Sequence, residues 1–492
     1  MELHAHSRLT RRQLLVAGGA ATAALALSSS QSRVWSGGGG DVELTAAAAV
    51  PSFVSRPDLR IPALAITQRA GRTVAPGLML LAPYNAPSPA QAGALIVDNT
   101  GAAVWEQPLA HLVTTDFRVQ SYRGRPALTW WEGVITLGHG VGRYVIADSA
   151  YAPIAHVNAG NGRRGDLHEF LVTDRGTALL TSYAIEDMDL RPVGGPRHGT
   201  IQNAMFQEVD IASGRVLLEW RSLDHIPIAE SYWPVGAGNN WDYVHLNSIG
   251  VDLDQNLLVS SRNTHTIYKL DRRSGEIMWR LGGKHSDFAI ASDASFAWQH
   301  DARRQPDGSI SVFDNGYGGA SRALLLSVDE PGRRASLGRS YTRPTATFSD
   351  SQGNVEVLPN GNVFVGWGAQ PYVSEFSPSG ELIFDAQLGD RYISYRAYRA
   401  PWAGHGAGLP AVAARRGSGQ NSVYVSWNGD TRVAWWTVLA GEGSGARLRA
   451  LRPVARTGFE TLIEVPPTVT HLQVRASDRA GGTLATSAPL AV

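Results

Sequence analysis

His245-Leu246-Asn247-Ser248 leads into the strand Asn256-Leu257-Leu258-Val259-Ser260, and this pairing of a polar lead-in with a short apolar strand recurs along the chain. It returns as Gln299-His300-Asp301-Ala302 before Gly308-Ser309-Ile310-Ser311-Val312, and as Gln352-Gly353-Asn354-Val355 before Gly361-Asn362-Val363-Phe364-Val365. Upstream, Asp116-Phe117-Arg118 precedes Pro126-Ala127-Leu128-Thr129-Trp130, and His168-Glu169-Phe170 precedes Gly176-Thr177-Ala178-Leu179-Leu180. Two strands around a turn of Asp, Asn or Gly make a hairpin. The starts, at 116, 168, 245, 300 and 353, are spaced by 52, 77, 55 and 53 residues. Between them stands a second hairpin type, an apolar strand, an Asp, a Ser-Gly turn and an aliphatic-aromatic strand. Val209-Asp210-Ile211-Ala212-Ser213-Gly214 before Leu218-Glu219-Trp220 is one case, and Leu270-Asp271-Arg272-Arg273-Ser274-Gly275 before Ile277-Met278-Trp279 is another. Two hairpins in about 50 residues give a four-stranded sheet, the size of a propeller blade. Five such units, with a sixth completed by residues 56–106, predict an all-β, six-bladed β-propeller over residues 51–405.

Composition agrees with a globular chain of many turns: of 492 residues, 43% are hydrophobic and 18% charged, with 53 Gly and 26 Pro. A formal charge of +1 offers no field for nucleic acid or acidic membranes. The absence of Cys excludes disulfides, thiolate metal sites and cysteine nucleophiles. Residues 1–50 read as an address. Arg11-Arg12 stands before a short apolar run, Leu14 to Leu27, and a Ser/Gly-rich tail, the pattern of a twin-arginine export signal. The mature protein is therefore expected in the cell envelope or outside the cell, with no membrane span. After Pro410 the pattern changes to short antiparallel strands such as Val423-Tyr424-Val425-Ser426-Trp427 and Phe459-Glu460-Thr461-Leu462-Ile463. Residues 410–492 accordingly predict a small immunoglobulin- or fibronectin-III-like β-sandwich.

In a propeller, equivalent positions of successive blades lie on one ring. On the spacing above, His168, His245 and His300 share such a position and face one funnel, with Asn247, Arg262, Asn315 and Arg322 beside them. Three readings stay open. Imidazolium can hold an anion and act as a general acid. Neutral imidazoles can hold a metal, although the nearest acids, Glu169 and Asp301, follow His168 and His300 directly and so point the other way if the strand alternates. Histidines at blade starts can also simply bond neighbouring backbone. Arginine and asparagine donors suit an oxyanion, so the expectation is an anion site with no metal and no cofactor. The long step between 168 and 245 carries Tyr232, Trp233, Asn239, Asn240 and Trp241, from which Trp233 and Trp241 are expected to wall an aromatic pocket.

Asp242-Tyr243-Val244-His245-Leu246-Asn247-Ser248, Ser260-Ser261-Arg262-Asn263, Trp279-Arg280-Leu281-Gly282-Gly283-Lys284, Phe296-Ala297-Trp298-Gln299-His300-Asp301-Ala302 and Phe313-Asp314-Asn315-Gly316 together resemble the arylsulfotransferase family. That resemblance implies a six-bladed propeller that moves a sulfuryl group from a phenolic sulfate to a phenol without a nucleotide donor. It also implies an anion-binding set, matched here by His168, His245, His300 and Arg322, and a further, transiently sulfated histidine beyond the arginine. The chain has no histidine between His300 and His405; Trp367-Gly368-Ala369-Gln370-Pro371-Tyr372 occupies that region, and Tyr372 is the substrate-binding candidate there. A secreted binding propeller and a metal-dependent hydrolase remain the other two functions compatible with the sequence.

Overall fold

The computed structural model describes residues 42–44, 52–59, 61–85, 90–91, 93–107, 112–316, 319–389, 392–443, 445 and 447–492. The paired arginines Arg11 and Arg12 and the apolar run behind them lie outside the described residues. Among the described residues everything regular is strand except four three-residue 3-10 turns, such as Arg191–Val193 and Ile228–Glu230. No helix of the described residues is long and apolar enough to cross a membrane.

The repeat seen in the sequence becomes antiparallel sheets in chain order. Leu246–Val251, Leu257–Ser261, Thr266–Leu270 and Ile277–Gly282 form one, and His300–Arg304, Ile310–Asp314, Arg322–Asp329 and Arg334–Tyr341 the next. Asn354–Val357 through Leu382–Leu388 form another, extended beyond Leu382–Leu388 by Leu64–Arg69 and then Val42–Leu44. Tyr392–Ala400 pairs with Leu78–Asn85, so the two ends of the repeat region meet in one sheet. The strands of residues 113–157 and 165–221 are joined into one eight-stranded sheet through a single pairing, Gly165 with Gly142. Alternation along a strand splits the core between neighbouring sheets. Leu257 and Val259 pack with Leu179, Phe206 and Trp220 of the preceding sheet. Leu258, between them, packs with Ile310, Val312 and Leu324 of the following one.

The edge strands are tied in series by one contact repeated around the molecule. A side chain on each accepts a hydrogen bond from a backbone N–H of the next: Asp116 from Phe170, Glu169 from Ile249, Ser248 from Ala302, Asp301 from Val355 and Asn354 from Ala397. Arg396, at the sixth position, donates from Nη1 to Asp116 Oδ1 at 2.9 Å and closes the circuit. The ladder slips at this point in five of the six strands, between Thr115 and Arg118, Gly165 and Phe170, Leu246 and Ser248, His300 and Arg303, and Ser394 and Ala397. Such bulges turn a side chain out of the sheet. Here they aim one polar group per strand at its neighbour.

The last 80-odd residues fold as two further sheets. One is Ala411–Arg415, Asn421–Ser426 and Glu460–Val465, and the other is built on Trp435–Gly441 and His471–Ser477. Trp427, Trp436, Val438, Leu472 and Val474 share a core between them. Glu460 accepts from the hydroxyl and the N–H of Ser55, both at 2.6 Å, and Phe459 joins the core of Leu59 and Ile61. These two sheets are thus fastened to the repeat region by polar and apolar contacts alike.

Candidate functional site

The hydrogen-bonded circuit corrects the register read from the sequence. Because Glu169, Ser248 and Asp301 are equivalent, the residues preceding them, His168, Asn247 and His300, are equivalent too. His245 stands two residues earlier, where the other strands carry Asp166 and Trp298. This two-residue offset shows only in the cross-strand hydrogen bonds, which spacing along the chain does not reveal. His245 and Trp298 both hold left-handed φ values, 55° and 58°, an uncommon conformation for residues with a Cβ.

His245 nevertheless reaches the cluster. Its ring centroid is 4.7 Å from that of His168 and 6.5 Å from that of His300. A fourth histidine, His139, which the sequence reading did not pick out, lies 5.3 Å from His245 and 6.0 Å from His168. It comes from the tip of a hairpin, Arg125–Thr136 with His139–Ala147, whose first strand is 12 residues long. Gly140 lets that tip descend, since a Cβ there would come within 2.8 Å of the Leu167 nitrogen. The legible signal was Thr136-Leu137-Gly138-His139-Gly140, a glycine turn carrying a histidine, but it sits off the repeat register.

Two carboxylates fix these rings. His168 Nδ1 is 2.5 Å from Asp166 Oδ2, and His245 Nδ1 is 2.5 Å from Asp242 Oδ2. A carboxylate only accepts, so each Nδ1 carries the proton and each Nε2 is left over. His139 Nε2 lies 3.2 Å from the same Asp242 oxygen, and its Nδ1 is buried without a partner. The supporting carboxylates are Asp166 and Asp242, which the sequence reading did not single out for this role, whereas Glu169 and Asp301 bond to arginines. Burial alone would raise Asp166, but His168 beside it holds the carboxyl down to about 2. Asp242 is held well below the usual range in the same way, its burial outweighed by His245 and His139. Burial lowers His245 to about 4, whereas His139, despite its own burial, is raised by its bond to Asp242.

The remaining candidates divide. His300 has both nitrogens occupied: Nδ1 donates to Asn315 Oδ1 at 2.7 Å, and Nε2 accepts from the Gln352 N–H at 3.1 Å. Burial, with the nearby Arg262 charge, pushes it well below the ordinary histidine value. That is a neutral structural imidazole, not a cationic donor to an anion. Asn315 is equally committed, donating to the carbonyls of Ser349 and Gln352, and Asn247 donates to that of Gln299. Arg322 spends its donors on Asp314 and on the carbonyls of Asp293 and Ser295, away from the histidines. Tyr372 lies under Arg343, 3.4 Å from ring to guanidinium carbon. Trp241 is core. Arg262 stacks on Trp298 and Trp233, at 4.8 and 5.5 Å, and Trp233 is 43% exposed, so this pair does form a wall. Tyr395, at the position equivalent to His168, is buried 5.7 Å from it with an unpartnered hydroxyl.

The arylsulfotransferase (ASST) family matches residues 118–389, more than half of the chain. Among solved structures, a Bacteroides caccae protein of unknown function is 13% identical, covering 65% of this chain and 98% of its own, with a TM-score of 0.41. Virginiamycin B lyase from Staphylococcus aureus is 9% identical, covering 75% and 96%, with a TM-score of 0.33. No curated protein matches the chain.

Proposed function

Because this chain belongs to the arylsulfotransferase family, we propose that it transfers a sulfuryl group from a phenolic sulfate ester to a phenol at the cluster of His139, His168 and His245. The carrying observation is that three imidazoles meet with one nitrogen each held by Asp166 or Asp242 and the other left unused. Structural histidines such as His300 use both. In the transfer, the S–O bond to the donor phenol breaks and a new S–O bond to the acceptor forms. The acceptor's phenolic proton ends on the departing phenolate. A ring fixed by a carboxylate is suited to carrying that proton, with the free nitrogen as its station. Arg262, stacked between Trp233 and Trp298, offers cationic and aromatic surface for the ester and the phenol ring.

The same proposal takes the sheets as six blades of a propeller followed by a β-sandwich. The closed circuit from Asp116 to Arg396 supports it. It also takes the chain as exported by its twin arginines, so that Arg11→Lys with Arg12→Lys keeps the precursor in the cytoplasm. The test of the chemistry is a chromogenic aryl sulfate with and without a phenol acceptor. Turnover that requires the acceptor, and disappears in His168→Ala, is the expected result. Turnover without acceptor would make the protein a hydrolase, and none at all would leave it a binding protein.

A further inference from the structure

We propose that the acceptor is a phenol bearing an extended apolar substituent, and that Val134, Leu137, Val141 and Ile185 hold that substituent while the phenolic oxygen lies at the histidine cluster. The phenol in this statement rests on the sulfuryl-transfer reading. The apolar seat rests on the hairpin that carries His139.

Three observations lead to it. First, that hairpin has one packed face and one bare face. Arg125–Thr136 pairs with His139–Ala147 so that Glu132 opposes Arg143, Val134 opposes Val141 and Thr136 opposes His139. Directly opposed residues share a face, as do alternate residues of one strand. Val134, Val141 and His139 are therefore on one side. On the other side the buried Trp131 lies against Gly133, Gly140 and Gly142. Val134 and Val141 are 55% and 53% exposed, and Glu132 and Arg143, which share their face, are paired with each other.

Second, the turn places a leucine where the backbone disfavours one. Leu137 and Gly138 both hold left-handed φ values, 50° and 83°. Two-residue hairpin turns of this kind favour Asn-Gly. Leu137 is 91% exposed, so packing within the chain does not account for it. A Cβ added at Gly138 would stand 4.0 Å from His245 Cε1, which puts the turn beside the cluster.

Third, apolar surface continues on a neighbouring strand. Tyr183 of Thr177–Met188 meets His139 edge-on, with ring centroids 4.3 Å apart. Ile185, two residues on and so on the same side of its strand, is 61% exposed. An uncharged surface that begins at His139 suits a molecule whose reacting oxygen is phenolic and whose remainder is apolar. The anionic donor has Arg262 instead, stacked on Trp298 and Trp233.

The experiment compares 4-alkylphenols, from phenol to 4-hexylphenol, as acceptors for one chromogenic aryl sulfate, and measures their direct binding by calorimetry. Acceptor KM and Kd should fall as the chain lengthens, by about two- to fourfold per methylene. Leu137→Asn combined with Val141→Thr should reduce that dependence to less than about twofold over the whole series, while kcat/KM for phenol itself stays within about twofold. Asn is the residue this turn favours, and Thr keeps the branched shape of Val, so the melting temperature should match or exceed wild type. A purely structural role for Leu137 predicts no change in the chain-length dependence. Wild-type KM and Kd that ignore chain length, or a dependence that survives in the double variant, overturns the proposal. Transfer to phenol and 4-hexylphenol with equal KM sinks the apolar seat and keeps sulfuryl transfer. Chain-length-dependent binding that the double variant loses, with no transfer to any acceptor, does the reverse.

Discussion

Adjacent residues of one strand enter two different polar layers. Glu169 faces a layer in which Asp116, Glu169 and Asp301 meet Arg118, Arg303 and Arg396. His168, one residue earlier, faces the histidine layer with His139, His245, Asp166 and Asp242. The first is closed in charge, three acids facing three guanidiniums with backbone N–H groups taking further carboxylate lone pairs, although Arg118 Nε and Arg396 Nε are buried without a hydrogen-bond partner. The second leaves lone pairs and a hydroxyl without partners. Both layers are buried, so burial does not separate scaffold from site. Pairing of every acid with a guanidinium does.

The closed layer is the place to expect the largest mutational effect. Arg396 is fully buried and joins Asp116, Glu169 and the Asn247 carbonyl. Arg396→Met leaves Asp116 and Glu169 with Arg118 and Arg303 alone and the buried layer one positive charge short, which costs about 3–5 kcal/mol. Urea denaturation should show that loss or an insoluble protein; a midpoint within experimental error of wild type would break the distinction between the layers.

His300 tests the same distinction from the other side, since it lies beside the open layer yet is fully bonded. His300→Ala should lose about 2–3 kcal/mol of stability, the worth of its two buried hydrogen bonds and the groups they satisfy. Affinity of the folded protein for an aryl sulfate, read by calorimetry, should stay within about threefold. A tenfold loss of affinity at unchanged stability would move His300 back among the anion-binding residues that the sequence suggested.

Asp166→Asn probes the open layer with little change of shape, because Oδ1 still accepts from the Gly140 N–H. Its expected cost falls on activity: aryl sulfate turnover lower by roughly 10–100-fold, with a melting temperature near that of wild type. A melting temperature that drops while turnover holds would show that the pair with His168 is structural.

The smallest effect concerns Glu356, two residues beyond Asn354 on its strand. Burial, with Asp301 adding its charge, pushes this carboxyl up to about 8. A raised carboxyl favours the protonated native state, so its contribution to stability is full below pH 4 to 5 and is lost as the pH rises through 8. Denaturation midpoints should therefore drift downward between pH 5 and pH 9, and Glu356→Gln should flatten part of that drift. An identical slope in the variant would place the titrating group elsewhere.

How much of this was legible is clearest at particular residues. The alternation Leu257-Leu258-Val259 and the Asp-Ser-Gly turns gave the hairpins and their order, because period-two burial and turn geometry are local properties of the chain. The resemblance of residues 242–316 pointed to the family, which matches residues 118–389. His168 and His245 were placed together correctly as neighbours, although for a register reason that fails at His245. The division of His300 and Arg322 from the cluster was not legible, since it depends on which nitrogen meets which carbonyl.

By itself, then, the sequence determined an all-β chain of repeated hairpins, its family and two members of its histidine cluster. Tertiary structure alone decided the rest. The circuit of hydrogen bonds put Asn247, not His245, at the repeat position, and a 12-residue strand carried His139 across from its hairpin tip. It also turned His168 and Glu169 into separate layers with different partners. The reason is that strand pairing follows neighbouring residues and can be read along the chain. The pairing of buried polar atoms follows distances in space, which spacing along the chain does not give.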